Sequence, residues 1–223
     1  KYWVILILFN LITQITNSIA ATSGTYYCKW IFGNDNLVAL AGALGFFATL
    51  VGFVVSKPII AKLGVRKTID FGVLGAAFTA LIRCIIPTNF KVYIAVSVIG
   101  SFVQIPLMCL YGVLLAMVID YNEYTYYNKM VGVSSGAIGI GTKIGSGVGS
   151  VILTACLALG AYNPDLEVAT TSMRYAIYAF SNYLPLIINL GLFVLFRFFD
   201  LEEKLPAIHE ELARRRSQKS TEQ

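Results

Sequence analysis

The stretch GVSSGAIGIGTKIGSGVGSVILTACLALGA (residues 132–161) decides the fold class of this protein. A helix needs about 20 mostly apolar residues to cross the hydrocarbon core of a bilayer, and this stretch exceeds that length. Its one charged residue is Lys143, near the middle. We therefore expect a membrane-spanning helix here, and a special role for its lysine.

The composition extends this expectation to the whole chain. The protein has 223 residues, of which 57% are hydrophobic and 13% charged, whereas soluble domains have about 45–50% apolar and about 25% charged residues. The four cysteines have neither disulfide nor metal-ligand spacing. The net charge of +5 does not suggest nucleic acid, because the basic residues are not gathered on one helix face. A polytopic membrane protein remains.

Six stretches are long and apolar enough to cross the membrane, and the segments between them are short. They cover residues 2–24, 35–56, 68–86, 92–119, 132–161 and 175–199. The sequence thus predicts an all-α, six-helix transmembrane bundle over residues 1–199. In the tail, residues 200–223, Leu201, Leu205, Ile208 and Leu212 have helical spacing, so we expect an amphipathic helix on the cytoplasmic face. His209, in that tail, is expected to be solvent-exposed.

The basic residues indicate the orientation of the bundle. Of the 17 lysines and arginines, 12 fall on one side of the predicted spans, so by the positive-inside rule both ends are cytoplasmic and the protein lies in the cell membrane. Arg83 is close to the outer end of the third span and is expected to snorkel. The chain starts at Lys1 and at the edge of a span. We therefore expect a piece of a longer protein, half of a twelve-helix transporter.

Lys143 is the one ionisable group deep in a predicted span. A central lysine costs about 2.5–3.5 kcal/mol on insertion scales, which is tolerated when it faces a water-filled cavity or a carboxylate. At 100° per residue it shares a face with small residues only: Gly132, Gly136, Gly139, Ser146, Gly147, Ser150 and Thr154. The opposite face carries Gly141, Gly145 and Gly149, a small-xxx-small ladder that predicts close helix packing.

Several amides also fall within predicted spans. Asn10, Gln14 and Asn17 share one face of the first span, Gln104 precedes Pro106 in the fourth, and Asn182 lies in the sixth. Amides hydrogen-bond sugar hydroxyls, but they also join helices to one another. The sequence leaves both roles open.

Four segments resemble the glycoside–pentoside–hexuronide:cation symporters, the melibiose-permease branch of the major facilitator superfamily. They are YYCKWIFG (26–33), the basic segment KPIIAKLGVRK (57–67), AMVIDYNEYTYYNKMVG (116–132) and the tail FFDLEEKLPAIHEELARRR (198–216). Lys143 stands at the lysine of that family's eleventh helix. The chain departs from the family pattern at Met117, Asn122, Val131 and Ile138.

The resemblance implies that this chain is the carboxyl half of a major-facilitator fold, helices seven to twelve. Such proteins couple symport of a sugar or glycoside to Na⁺ or H⁺ by alternating access. It implies no cofactor, and a cation site in the amino-terminal six-helix half, which would be a partner of this bundle. Lys143 and the five amides would serve substrate binding and coupling. Ion pairs that gate the cytoplasmic side are expected among Lys62, Arg66, Asp70, Asp120, Glu123 and Lys129, unless these are ordinary solvated charges.

Other functions compete with a sugar symporter. The same scaffold could import a lysolipid or an organic acid, or the chain could be a half-length membrane protein that transports nothing. An enzyme is disfavoured, because no nucleophile, histidine and carboxylate can be assembled within the spans, and no metal-ligand cluster is present.

Overall fold

A computed structural model describes residues 1–221 and is helical throughout, without a strand in that range. The elements are α1 (Tyr2–Trp30), α2 (Asn36–Ile85), α3 (Phe90–Tyr126), α4 (Val131–Leu159), α5 (Thr171–Tyr178), a π-helical segment (Ala179–Tyr183), α6 (Leu184–Phe196) and α7 (Leu201–Thr221). In the described range, five helices are long and apolar enough to cross a membrane: α1 to α4 and the continuous run Thr171–Phe196. The predicted all-α membrane bundle is confirmed in this form.

Helix α2 covers two of the predicted spans. Its 50 residues would extend for about 75 Å at 1.5 Å per residue, far beyond the roughly 30 Å hydrocarbon core. The helix is interrupted at Gly64, whose φ of 78° and ψ of 176° are not helical. Glycine adopts positive φ without a Cβ clash, so this position permits a sharp change of direction.

Contacts with α3 show how the first part of α2 runs. A Cβ placed on Gly45 would lie 3.7 Å from Ser101 Oγ, and one on Gly52 would lie 2.9 Å from Ile105 Cγ1. Residue numbers therefore rise together along the two helices. The part of α2 before Gly64 is parallel to α3.

The part of α2 after Gly64 contacts the same stretch of α3 in the opposite sense. A Cβ on Gly72 would lie 3.0 Å from Leu107 Cβ, whereas a Cβ on Gly100 would lie 3.4 Å from Thr79 Oγ1. This part is antiparallel to α3. The chain thus reverses direction at Gly64, and α2 is a hairpin of two helices.

Two apolar clusters form the core at opposite ends of the bundle. One surrounds Tyr27, Tyr93 and Phe180, close to the α2–α3 turn. The other lies at the end that carries the chain termini and includes Phe9 and Leu114. Both clusters draw residues from several helices, so the bundle is tied together at each end.

The tail helix α7 belongs to the second cluster. Leu201, Ile208 and Leu212 are 0%, 4% and 5% exposed, and Leu205 packs against the same cluster. The helical spacing predicted from the sequence is present, and its apolar face packs onto the protein itself.

Two of the five segments expected between spans are largely helical. Residues 57–67 are helical except at Gly64, and α3 continues to Tyr126. The chain leaves α3 through Tyr127, which has a left-handed φ of 56°. The charged residues of both segments therefore lie at the polar ends of helices and not in loops.

Candidate functional site

The glycine ladder of α4 packs against the backbone of α1. A Cβ on Gly145 would lie 2.6 Å from the carbonyl oxygen of Leu11, and one on Gly149 would lie 2.7 Å from that of Ile15. No side chain fits at such distances, so the helices can approach this closely only at glycine. Residue numbers rise together in these contacts, which makes α1 and α4 parallel.

Asn10 lies at the start of this interface. It is 1% exposed, and its Nδ2 donates to the carbonyl oxygen of Ile138 at 2.7 Å and to Thr142 Oγ1 at 3.2 Å. A Cβ on Gly141 would lie 3.1 Å from the same Nδ2. Of the two roles open for this amide, the geometry favours joining the two helices.

Lys143 lies on the other side of α4. Its side chain is exposed, and within residues 1–221 it makes no ion pair or hydrogen bond. Around it α4 is open, because a Cβ on Gly136, Gly139 or Gly147 would meet nothing within 4 Å. In the described part of the chain, Lys143 is thus an exposed lysine without a partner, on a helix face of small residues.

The remaining amides do not gather around Lys143. Gln14 and Asn17 are half-buried on α1, and the Cβ of Gln14 packs beside Gly145. Asn182, in the π-helical segment, is fully buried, and its Nδ2 donates to Tyr27 OH at 3.2 Å and to the carbonyl oxygen of Arg83 at 3.3 Å. Asn182 therefore contributes to the core in this structure.

Gln104 lines a cavity of about 250 Å³ inside the bundle. The cavity lies between α1, both parts of α2, α3, the π-helical segment and α6. Its polar lining also includes Arg83, Ser181 and Asn189. The guanidinium of Arg83 lies over the ring of Tyr93, with Cζ 4.4 Å from the ring centroid. Arg83 was expected to snorkel, but here a cation–π contact accompanies its position at the cavity wall.

The predicted gating residues are divided among separate contacts. Lys129 Nζ lies 3.8 Å from Glu123 Oε2, across the α3–α4 connection. Two others face α7: Arg66 NH1 lies 3.6 Å from Glu203 Oε1, and His209 Nε2 lies 3.1 Å from Asp120 Oδ2.

The other two gating residues make no such contact. Lys62 is exposed, Asp70 is half-buried, and neither has an ion pair in the described chain. His209, expected to be solvent-exposed, has a 58% exposed side chain even in its contact with Asp120.

Sequence reasoning missed Glu202. Its two carboxylate oxygens accept hydrogen bonds at 2.8 Å from the main-chain NH groups of Val65 and Arg66. These NH groups begin the helical segment after Gly64. A carboxylate there accepts hydrogen bonds from NH groups that have no partner within the helix, and it interacts favourably with the helix dipole. The contact spans 137 residues of sequence, so no local pattern could have revealed it.

A second missed group joins the start of the first helix to the end of the last membrane-length helix. Asp200 accepts hydrogen bonds from Tyr2 OH at 2.7 Å and from Lys204 Nζ at 2.7 Å, and Lys1 Nζ lies 3.4 Å away. The hydrogen bonds from Lys204 and Tyr2 hold the pKa of the Asp200 carboxyl well below its usual range. The hydrogen bonds to Asp200 and Tyr2 likewise raise the pKa of Lys204. The start of α1 and the end of α6 therefore meet on one side of the bundle.

Comparison with known proteins gives a family match for this chain. No curated protein matches the chain. The model of one family, described as MFS/sugar transport protein, matches residues 1–203 and so covers the whole bundle and the start of α7. Because this match covers most of the chain, the chain belongs to the MFS/sugar transport protein family, a family of membrane transporters.

Proposed function

We propose that this chain is the carboxyl-terminal half of a cation-coupled symporter, which carries a sugar or glycoside by alternating access and is driven by Na⁺ or H⁺. The family match supports transport of the major-facilitator type. The observation that carries the finer proposal is Lys143, an exposed cation on an otherwise small-residue face of a membrane-length helix.

Helix directions support six membrane crossings. Because α1 and α4 are parallel, an odd number of crossings must separate them. The two antiparallel parts of α2, together with α3, supply three. If α2 crossed only once, α1 and α4 would be antiparallel. The contact between Tyr2 and Asp200 also supports an even total, since the start of α1 and the end of α6 then lie on one side.

The distribution of basic residues supports a cytoplasmic position for that side. Lys1, Lys204 and Arg215 lie there, near the hinge of α2 with its own basic residues. We therefore place the bundle in the cell membrane with both ends of this segment inside.

Lys143 would act as a fixed charge in the transport pathway. In a bilayer, a lysine with no partner in its own bundle needs water or a carboxylate on another element. The open glycine face leaves room for a second helix bundle with a water-filled gap between the two. A carboxylate cluster on that bundle would bind the coupling cation, and competition with Lys143 would link cation binding to the rocking equilibrium.

Uptake by membrane vesicles tests the proposal. Vesicles that contain the full-length protein are given labelled glycosides and pentosides, with and without inward Na⁺ and H⁺ gradients. We expect gradient-driven accumulation of at least one sugar, and we expect Lys143→Ala to abolish it while expression persists.

The matched control is Lys91→Ala, which removes an exposed lysine at the start of α3 and should transport normally. Undiminished accumulation in Lys143→Ala would refute the role of this lysine. Accumulation of no sugar under any gradient would refute sugar symport itself.

A further inference from the structure

The cavity of about 250 Å³ inside the bundle is distinct from the Lys143 face. Its walls come from α1, α2, α3, the Ala179–Tyr183 segment and α6, and no residue of α4 lines it. Its volume is far larger than the roughly 30 Å³ share of one water molecule in the liquid. It can therefore hold a small solute with part of its hydration shell.

Two residues that line this cavity carry buried polar atoms without a partner. Ser181 is 2% exposed and lines the cavity, yet its Oγ has no hydrogen-bond partner within residues 1–221. The Nε of Arg83 is also buried and unpartnered in the same range. Leaving a buried donor unpaired costs about 1–3 kcal/mol, and more for a charged group. Unpaired buried donors of this kind indicate that the cavity holds a bound ligand.

Several hydroxyl groups nearby have already used their hydrogens. Thr79 Oγ1 donates to the carbonyl oxygen of Ala76 at 2.9 Å, and Ser101 Oγ donates to that of Ser97 at 3.0 Å. Ser97 Oγ in turn donates to the carbonyl oxygen of Tyr93 at 2.7 Å. These side chains offer the cavity only lone pairs, which suit water molecules around a bound solute.

The hydrogen-bond donors that remain free favour an anion. They include the Nε–H of Arg83, the hydroxyl of Ser181 and the amide of Gln104, for which the described chain supplies no hydrogen bond. Arg83 is the one charged residue among the described lining residues, and none of them is acidic. The described lining thus has one positive charge, several free donors and no counter-ion.

The π-helical segment provides the geometry for Ser181. Single-turn π segments within α-helices often occur at functional sites, because the wider turn redirects side chains. Here the turn Ala179–Tyr183 places Ser181 at the cavity and Asn182 against the carbonyl oxygen of Arg83. The two unpartnered donors are thereby held on neighbouring walls.

We propose that this cavity binds a small monovalent anion, held by the guanidinium of Arg83 and the hydroxyl of Ser181. The anion is either a free halide or the carboxylate of a small organic solute. The site lies away from the Lys143 face, and its occupancy does not depend on the proposed symport.

Two titrations of the full-length protein in detergent test the site. Chloride binding is followed by the broadening of the ³⁵Cl magnetic resonance line, and acetate binding by calorimetry. We expect at least one titration to saturate. Displacement of bound chloride by acetate at lower concentration would identify a carboxylate as the preferred ligand, and failure of acetate to displace it would identify the halide.

Three variants assign the binding to the cavity. Charged hydrogen bonds contribute more than neutral ones, so Arg83→Gln should weaken binding about tenfold or more, and Ser181→Ala should weaken it severalfold. Arg174→Gln, which removes an exposed arginine at the start of α5, should bind like the wild type. If Arg83→Gln does not fold, Ser181→Ala still decides, because it removes one oxygen atom only.

The proposal is overturned if neither titration saturates. It is equally overturned if both cavity variants retain wild-type affinity, because the anion then binds elsewhere on the protein.

Discussion

Glu202 binds the main-chain NH of Val65 through its carboxylate at 2.8 Å, so the tail helix caps the second half of the α2 hairpin. The second carboxylate oxygen makes the same contact with the NH of Arg66. Removing an N-terminal cap from a helix typically costs about 0.5–2 kcal/mol. The bond therefore links the position of the tail to the stability of the hinge at Gly64.

Replacing this cap should destabilise the protein. We expect Glu202→Ala to lower the free energy of unfolding by about 1–2 kcal/mol, because two NH groups lose a charged acceptor. The measurement is denaturant unfolding in detergent. Glu203→Ala is the control, since Glu203 is 76% exposed and makes one 3.6 Å ion pair, which should contribute little. Equal losses in both variants would contradict a capping role.

Gly145 should tolerate no side chain at all. A Cβ there would lie 2.6 Å from the carbonyl oxygen of Leu11, so Gly145→Ala should push α4 from α1 and cost about 1–3 kcal/mol. Gly145→Leu should also reduce transport. Gly191→Ala is the control, because a Cβ on this helical glycine meets nothing within 4 Å, and it should be neutral or slightly stabilising. Unfolding curves of all three variants check the prediction, and wild-type stability of Gly145→Leu would rule out the packing seam.

Asn10 should be needed for stability. Because its buried amide donates to the carbonyl oxygen of Ile138 and to Thr142, Asn10→Ala should lower the free energy of unfolding by about 1–3 kcal/mol. Asn17→Ala, at a half-buried amide on the same helix, should cost less than about 0.5 kcal/mol. Thermal unfolding distinguishes them. A stable Asn10→Ala protein with weakened sugar binding would instead assign this amide to the substrate.

The Asp200 cluster should make stability depend on acid. The pKa of this carboxyl is lowered in the folded protein by Lys204 and Tyr2, so its contribution is complete above its ordinary value of about 3.9 and is lost as the pH falls further. We expect the melting temperature of Asp200→Asn to fall less than that of the wild type between about pH 5 and about pH 3. This range extends about one pH unit to either side of the ordinary pKa of an aspartate. Asp165→Asn removes a carboxylate from the α4–α5 connection and controls for the lost charge. An unchanged slope in Asp200→Asn would show that other groups govern acid unfolding.

The sequence predicts most of what depends on local pattern. Apolar length locates the membrane helices, and the spacing of Gly141, Gly145 and Gly149 separates the face of α4 that meets α1 from the face that bears Lys143. The helical spacing of the apolar residues in the tail likewise predicts the helix α7. In each case the periodicity of a single helix contains the information.

The parts that sequence could not supply are contacts between distant segments. Asp200 and Tyr2 are 198 residues apart, and the local sequence around either residue does not indicate that the other is its partner. The same holds for the gating residues, where the partners of Arg66 and Asp120 lie in the tail. Arg83 could be placed near a helix end from its sequence position, but the cavity beside it arises only when five elements pack together.

The docked tail limits how the bundle can deform. Through Asp200 it holds the start of α1, through Glu202 the α2 hinge, and through Arg215, whose NH1 donates at 3.0 Å to the carbonyl oxygen of Tyr124, the end of α3. Three helix ends fixed to one rigid rod cannot tilt independently. We therefore expect a displacement of one of these ends to move the other two, which makes the tail a mechanical coupler of the side of the bundle that carries the chain termini.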